Sequence, residues 1–477
     1  MAVTLSNRFD RIDSIESIRP DRRSGAAATL TVPTARHRRR HRHRRRHRHR
    51  DRREDPTVTQ PSTLSHDRLL AARTAVYVVF AMNGLAFAAW ASRIPDVKQT
   101  LGLTAGQLGV TLLAVSLGSI LGLPASGWIS HRLGAAGSVR IGLASMTVGM
   151  AGIGLGVDTL GDRWVVAAGL FALGLGVGVW DVGMNLEGAS VERLLGRNIM
   201  PRFHAAFSGG TVVSALIGAL MAWQRVPLTA HLLGSAVVIV GTGLWAIRSF
   251  LPRALESEDA SAAEGAAEPG ATGAARLGVL SAWTEPKTLL IGVLTLIAAF
   301  TEGTANDWVS VAFVEGYGLP TWAGVLAFAT FLSFMTLGRI VGTALLDRYG
   351  RVPTLRVMLV GAGVGSLLVV FGGTPALAYL GAAIWGVGVS LGFPVGMSAA
   401  ADDPERAAAR ISVVATIGYT AFIAGPPLLG FLGDHFGILQ SLLAVGALLV
   451  VALLVLPAVR EPARSRREEE PAAAAAE

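Results

Sequence analysis

Gly174-Leu-Gly-Val-Gly-Val-Trp-Asp181-Val-Gly-Met-Asn185-Leu-Glu187 decides how the chain is read. It sits inside Phe171–Phe207, a glycine-rich apolar run followed by a basic loop (Arg193, Arg197, Arg202) and a return to apolar sequence at Phe203-His204. Positions i and i+4 share a helix face, so Asp181 and Asn185 point the same way. A carboxylate inside an apolar segment of membrane length is costly to bury, which marks it as a functional site by default. The stretch therefore reads as one crossing of a membrane transporter.

Composition agrees. The 477 residues are 51% apolar and only 16% charged, with a mean hydropathy of +0.50. Soluble domains carry about 25% charged residues. Repeated apolar runs of about 20 residues, each able to cross a hydrocarbon layer of about 30 Å, account for the deficit. The net charge of +9 describes a tail: Arg36–Arg53 holds twelve arginines against one aspartate, and the rest of the chain is slightly acidic. With no cysteine there are no disulfides and no thiolate metal site.

Met1–His66 has no sustained apolar period, and its Arg/His run is of low complexity and self-repelling. No apolar segment follows that run as in a signal peptide. Three readings compete: a solvated cytoplasmic tail touching anionic lipid, a stretch upstream of the natural start codon, and a nucleic-acid or metal-binding segment. The last is disfavoured because no aromatic residues are interleaved for stacking and the histidines lack an ordered scaffold. Spans are expected near 72–93, 107–129, 138–158, 164–187, 203–224, 229–251, 288–309, 321–346, 354–372, 375–399, 409–433 and 437–459. The Ala/Glu/Gly-rich break at Glu256–Glu285 reads as a flexible linker between six-helix halves. The expected organisation is a disordered tail (1–68), a first half (69–252), a cytoplasmic linker (253–286), a second half (287–459) and a cytoplasmic tail (460–477). Arginines cluster in alternate loops (Arg132 and Arg140; Arg193, Arg197 and Arg202; Arg253 and Arg276; Arg348, Arg351 and Arg356; Arg406 and Arg410), which places both termini in the cytoplasm.

The halves echo each other after their second span. The first reads Gly127-Trp-Ile-Ser-His131-Arg132-Leu-Gly134, and the second Thr343-Ala-Leu-Leu-Asp347-Arg348-Tyr-Gly350-Arg351. Twelve spans with this echo resemble the major facilitator superfamily, whose loop signature is Gly-x-x-x-Asp-Arg-x-Gly-Arg/Lys. His131 and Ala135 depart from it in the first copy, and Thr343 in the second. The resemblance implies an all-α membrane protein with twelve transmembrane helices in two pseudo-symmetric six-helix halves. It also makes Gly127, Arg132, Gly134, Asp347, Arg348, Gly350 and Arg351 a gate motif. The glycine allows tight packing, the carboxylate meets a helix amino terminus, and the arginines hold the closed cytoplasmic gate. More narrowly, Asp181-Val-Gly-Met-Asn185 followed by Arg202-Phe-His204-Ala-Ala-Phe207-Ser-Gly-Gly resembles the fucose/glucose/galactose–proton symporter group. Ala91 stands where that group has a first-span acid. The chain is also similar to uncharacterised bacterial permeases with Trp-Asp-x-x-Met-Asn in span four and Glu-Gly-x-x-x-Asp-Trp in span seven.

The superfamily resemblance implies that spans one, four, seven and ten line a central cavity. Their polar residues give the candidates: Asp181 and Glu302 for proton coupling, and Asn83, Trp90, Trp180, Asn185, Asn306 and Trp385 for solute binding. Amides and acids hydrogen-bond hydroxyls, and an indole covers the apolar face of a sugar. Alternatives stay open. Asp181 and Glu302 can be ion-pair partners of Arg339 or His204, Asp307 reads as a helix-end carboxylate, and Glu187 as a boundary residue. The expected function is proton-coupled import of a sugar or similar small polar metabolite by alternating access, the alternative being proton-driven efflux of drugs or metabolites. Span five lacks the Gly-Pro ending of the drug antiporters, which favours import. No phosphate-binding loop, enzyme motif, cofactor or metal site is expected. The expected partners are a small-molecule solute, protons and the lipid bilayer, with no nucleic acid. The expected protein is a monomer, multi-pass in the bacterial inner membrane.

Overall fold

The computed structural model describes residues 65–253, 281–403 and 406–461. The Arg/His run, most of the expected linker and the tail beyond residue 461 lie outside the described residues. Eleven described helices are long and apolar enough to cross a membrane, and one of them, Ala105–Leu160, runs for 56 residues. A straight helix of that length would measure about 84 Å, far beyond a core of about 30 Å. It is two crossings. The break is Gly134, at φ 71° and ψ −179°, a conformation that a Cβ makes costly. Ser130 and Ser138 hydrogen-bond across the bend at 2.8 Å.

The crossings are thus spans 1 to 12: His66–Ala91, 105–133, 135–154, Arg163–Leu195, Met200–Trp223, Leu228–Ala246, Pro286–Tyr317, Thr321–Tyr349, Arg351–Phe371, Pro375–Ala400, Ala407–Phe436 and Ile438–Val459. Local chemistry sets the ends. Thr104 and Gln107 form a reciprocal capping box at the start of span 2, and the Asp162 side chain caps span 4. Gly196 and Gly318 close spans 4 and 7 in the left-handed conformation. Twelve crossings bring residues 65 and 461 to one face, here the terminal face.

Lipid tails are as apolar as leucine, so helices in a bilayer associate by close packing of small residues rather than by the hydrophobic effect. A Cβ on Gly174 would sit 2.0 Å from the Val115 carbonyl oxygen, and one on Gly178 2.8 Å from that of Ser119, so spans 2 and 4 run parallel with backbones touching. Gly142 abuts Trp180 and Gly149 abuts Leu173, so span 3 runs antiparallel to span 4. The second half repeats the scheme. Gly386 meets Phe331 and Gly338 meets Ser390 (spans 8 and 10, parallel), whereas Gly365 meets Trp385 and Gly388 meets Met358 (spans 9 and 10, antiparallel). Trp180 and Trp385 are fully buried and equivalent, each four residues after a glycine (Gly176, Gly381) that faces the same neighbouring helix.

The halves meet through spans 2 and 11 and spans 5 and 8. Span 2 begins where span 11 ends: a Cβ on Gly109 would lie 2.4 Å from the Pro426 carbonyl oxygen, and Gly430 abuts Ala105. On this face, opposite the terminal one, Lys98 pairs with Glu315, Thr104 donates to Asp434 (3.1 Å), and Thr321 donates to Gln99 (3.3 Å). The halves are latched there.

Two spans outrun their expected ends. Span 4 continues to Leu195 because Glu187 is not a boundary residue: it is fully buried, and its Oε1 accepts the Leu251 N–H at 2.7 Å. Span 7 continues to Tyr317 because Trp308–Val314, apolar except for Ser310, follows Asp307 directly. Asp307 is therefore well inside a helix, not at its end.

Candidate functional site: the cavity between the halves

On span 4 the glycines that touch span 2 (Gly174, Gly178) and span 3 (Gly176, Gly183) leave a narrow strip free. Leu173, Val177 and Asp181 occupy it and face a cavity of about 390 Å³. Span 7 contributes Gly303, Asn306 and Asp307, one helix face at i, i+3 and i+4. Span 2 adds Ser116, Ser119 and Leu123, span 1 adds Phe87, and span 11 adds Tyr419 and Phe422. The volume is at the small-metabolite end of the usual range of about 300–1,000 Å³. Two carboxylates, one from each half, thus share one cavity. It stops short of the Gly109–Pro426 contact and extends along Ser119, Leu123 and Asp181 toward the terminal face.

The sequence candidates divide. Asp181 and Asn306 line the cavity, and the Asn306 Oδ1 is buried there with no protein partner. Asp181 makes no ion pair among the described residues. Asn185 shares its face, but its amide is turned back onto the helix and donates to the Asp181 carbonyl at 2.8 Å. Glu302 lies on the neighbouring edge of span 7, where both its oxygens accept from Arg339 of span 8 (3.0 and 3.2 Å). Of the two ion-pair partners considered for it, Arg339 is the one it meets. His204 is exposed and stands edge-on to Phe80. Asn83, Trp90, Trp180 and Trp385 are buried in helix packing, not on the cavity. Asn83 donates to the Met184 sulfur at 3.7 Å. Trp385 is edge-on to Phe331, and span 10 contributes nothing to the cavity wall. Missing from the candidate set were Asp307, the two span 2 serines and the aromatic faces of Phe87, Tyr419 and Phe422. The stretch Trp308–Val314, apolar except for Ser310, was the available signal for the first of these.

The gate motif also differs from its expected chemistry. A Cβ on Gly127 would meet nothing within 4 Å, so this glycine mediates no close packing. The carboxylate that meets the amino terminus of span 9 is Glu461, which accepts the Arg351 N–H at 2.7 Å, while Asp347 is exposed. Arg351 donates to both oxygens of Asp402 (2.8 and 2.9 Å) and to Ser398 (3.1 Å). Arg132 lies over Trp128 and Arg348 over Tyr349. Gly134 and Gly350 hold the two equivalent bends at φ 71° and 78°. Among the described residues none of these side chains bonds the opposite half, as fits halves latched at the other face. Just outside the membrane on the terminal face, hydrogen bonds from Arg410 hold the Glu285 carboxyl below its ordinary value.

Twelve crossings, a repeated packing scheme and a cavity lined by spans of both halves define a multi-pass membrane transporter. The sequence model of the Major Facilitator Superfamily matches residues 25–193, 200–419 and 326–476, and the chain belongs to that family. It is similar to the "Uncharacterized transporter y4wD" of Sinorhizobium fredii (strain NBRC 101917 / NGR234), at 30% identity over 395 residues, 83% of this chain and 100% of that one. In fold it is similar to the nucleoside transporter NupG (D323A mutant; TM-score 0.66, 12% identity, 82% of this chain and 99% of that one). It is also similar to a D-xylose-proton symporter (TM-score 0.62, 14% identity, 82% and 97%).

Proposed function

We propose that the protein is a proton-coupled carrier that imports a sugar or similar small polar metabolite across the bacterial inner membrane, by rocking of its two halves. The observation that carries this reading is the pair of acids, Asp181 and Asp307, facing one cavity from opposite halves. A carboxylate that is neutral in one gate state and charged in another links proton movement to solute movement. Ser116, Ser119 and Asn306 offer hydroxyl-matching groups, and Phe87, Tyr419 and Phe422 offer ring faces for the apolar side of a pyranose. The arginine bias supports a cytoplasmic terminal face, and hence an inward-facing cavity. Protons and the solute are the partners, and the carrier works as a monomer in the bilayer.

The test is uptake of labelled sugars into proteoliposomes under an imposed pH gradient. Asp181→Asn is expected to lower gradient-driven accumulation at least tenfold while leaving solute exchange in place. Accumulation at the wild-type level in that variant would overturn the coupling role. A second reading, proton-driven efflux, is favoured by the aliphatic and aromatic majority of the cavity wall. Gradient-driven extrusion of apolar compounds without sugar uptake would establish it instead.

A further inference from the structure

Behind Asp307 lies a second, much smaller space. Phe300, Gly303, Thr304, Asp307 and Trp308 of span 7 wall it on one side, and Ala421, Phe422, Gly425 and Pro426 of span 11 on the other. Its volume is about 10 Å³, the size of a single water site. Asp307 borders both this niche and the main cavity. On span 11 the niche reaches Pro426, a turn nearer the latched face than the cavity does.

The wall of the niche is mostly apolar, with a few polar groups set into it. The Thr304 hydroxyl and the Trp308 indole N–H, at 4% and 0% exposure, are buried with no protein partner. Pro426 lies within helix 407–436 and has no N–H, so the Phe422 carbonyl lacks its ordinary helical donor. Unpaired groups of this kind are costly in a bilayer unless something bonds them. A buried water normally has two to four polar partners. The residues that line the niche carry an acid, a hydroxyl, a donor-only indole and a carbonyl, a mixture that suits water. A bare cation fits worse, because the indole presents a proton.

We propose that one water molecule is bound in this niche by Asp307, Thr304, Trp308 and the Phe422 carbonyl, and that it is the proton's route between Asp307 and the face opposite the termini. The step balances simply. The water gives one proton to an Asp307 oxygen and takes another from solvent beyond the latch when Gly109 and Pro426 part, with no electron transfer. Asp307 then exchanges its proton with one side through the cavity and with the other through the niche. This relay rests on the proton-coupled reading above, whereas the water site itself does not.

Radiolytic footprinting separates the two, since X-ray cleavage of water in place oxidises adjoining side chains. In the full-length protein, Trp308 is expected to be oxidised despite its burial. Thr304→Val is expected to lower that oxidation at least fivefold and gradient-driven uptake at least tenfold, with exchange retained. Thr304→Ser keeps the hydroxyl and is expected to restore both, which separates loss of the water from misfolding. An unlabelled Trp308 in the wild type would overturn the proposal. So would a Thr304→Val protein that loses the label and still accumulates solute. A labelled Trp308 in a wild-type carrier with no gradient-driven transport would overturn the relay together with the coupling reading, and leave the bound water standing.

Discussion

Glu302 and Asp307 are both acids of span 7, yet they have different surroundings. Glu302 is neutralised by Arg339 on the adjacent helix, with side-chain exposures of 20% and 32%. Its removal leaves a guanidinium facing partly dry surroundings. Glu302→Gln is therefore expected to lower the thermal stability of the purified carrier, by less than the ~3–5 kcal/mol typical when a fully buried pair is broken. Glu302→Gln/Arg339→Gln is expected to recover part of the loss, and a melting series in detergent checks both. A variant that melts normally but no longer couples uptake to protons would restore Glu302 to the coupling role its spacing suggests. The same residues show what was legible. Asp181 and Asn306 were picked out by polarity at membrane depth together with the superfamily resemblance, which implies that spans four and seven line the cavity. The sequence could not place Trp180 correctly by residue type, although helix geometry bears on it: adjacent residues diverge by about 100°, so a tryptophan next to a cavity-facing aspartate looks elsewhere. Asn185 is on the expected face, but its side-chain amide prefers a local backbone carbonyl, which spacing does not reveal.

At the scale of helices, duplication separates architecture from chemistry. Trp180 and Trp385 occupy equivalent places, each on the glycine of a neighbouring antiparallel helix, so the two tryptophans are packing elements of the repeated unit. Asp181 follows Trp180, whereas Gly386 follows Trp385 and touches Phe331, so the acid belongs to one half only. The partners of these glycines were not legible in the sequence, because nothing local fixes which helices become neighbours. Gly174→Val is expected to cut the yield of folded, monodisperse protein severalfold, since even its Cβ would lie 2.0 Å from the Val115 carbonyl oxygen. Gly127→Ala, with open space around the new methyl group, is expected to leave yield unchanged. Size-exclusion profiles of the two variants decide the point. Equal losses would mean that backbone freedom, not close approach, is what these glycines supply.

Across the whole molecule, the rocking of halves proposed above requires that the latched face open while the cavity closes on the terminal side. The latch is made of modest parts: one partly exposed ion pair, Lys98–Glu315, two side-chain hydrogen bonds and the backbone approach of Gly109 to Pro426. Partly exposed pairs contribute about 0–1 kcal/mol each, so the latched state need be favoured by only a few kcal/mol, as a carrier that must leave it requires. Twelve crossings were legible from apolar runs, and two halves from the Ala/Glu/Gly-rich break and the repeated loop motif. The latch was not, because Lys98 and Glu315 lie 217 residues apart and either alone reads as a solvated loop charge. The absence of cysteine from the sequence makes the test clean. Gln99→Cys/Thr321→Cys, joined by a short reductant-cleavable thiol crosslinker, is expected to hold the latch shut and lower transport at least tenfold, with recovery on reduction. Either single substitution treated in the same way is expected to transport normally. If the crosslinked pair carries solute at the uncrosslinked rate, this face does not part during the cycle, and neither import by rocking of the halves nor a relay that depends on the Gly109–Pro426 contact opening could operate.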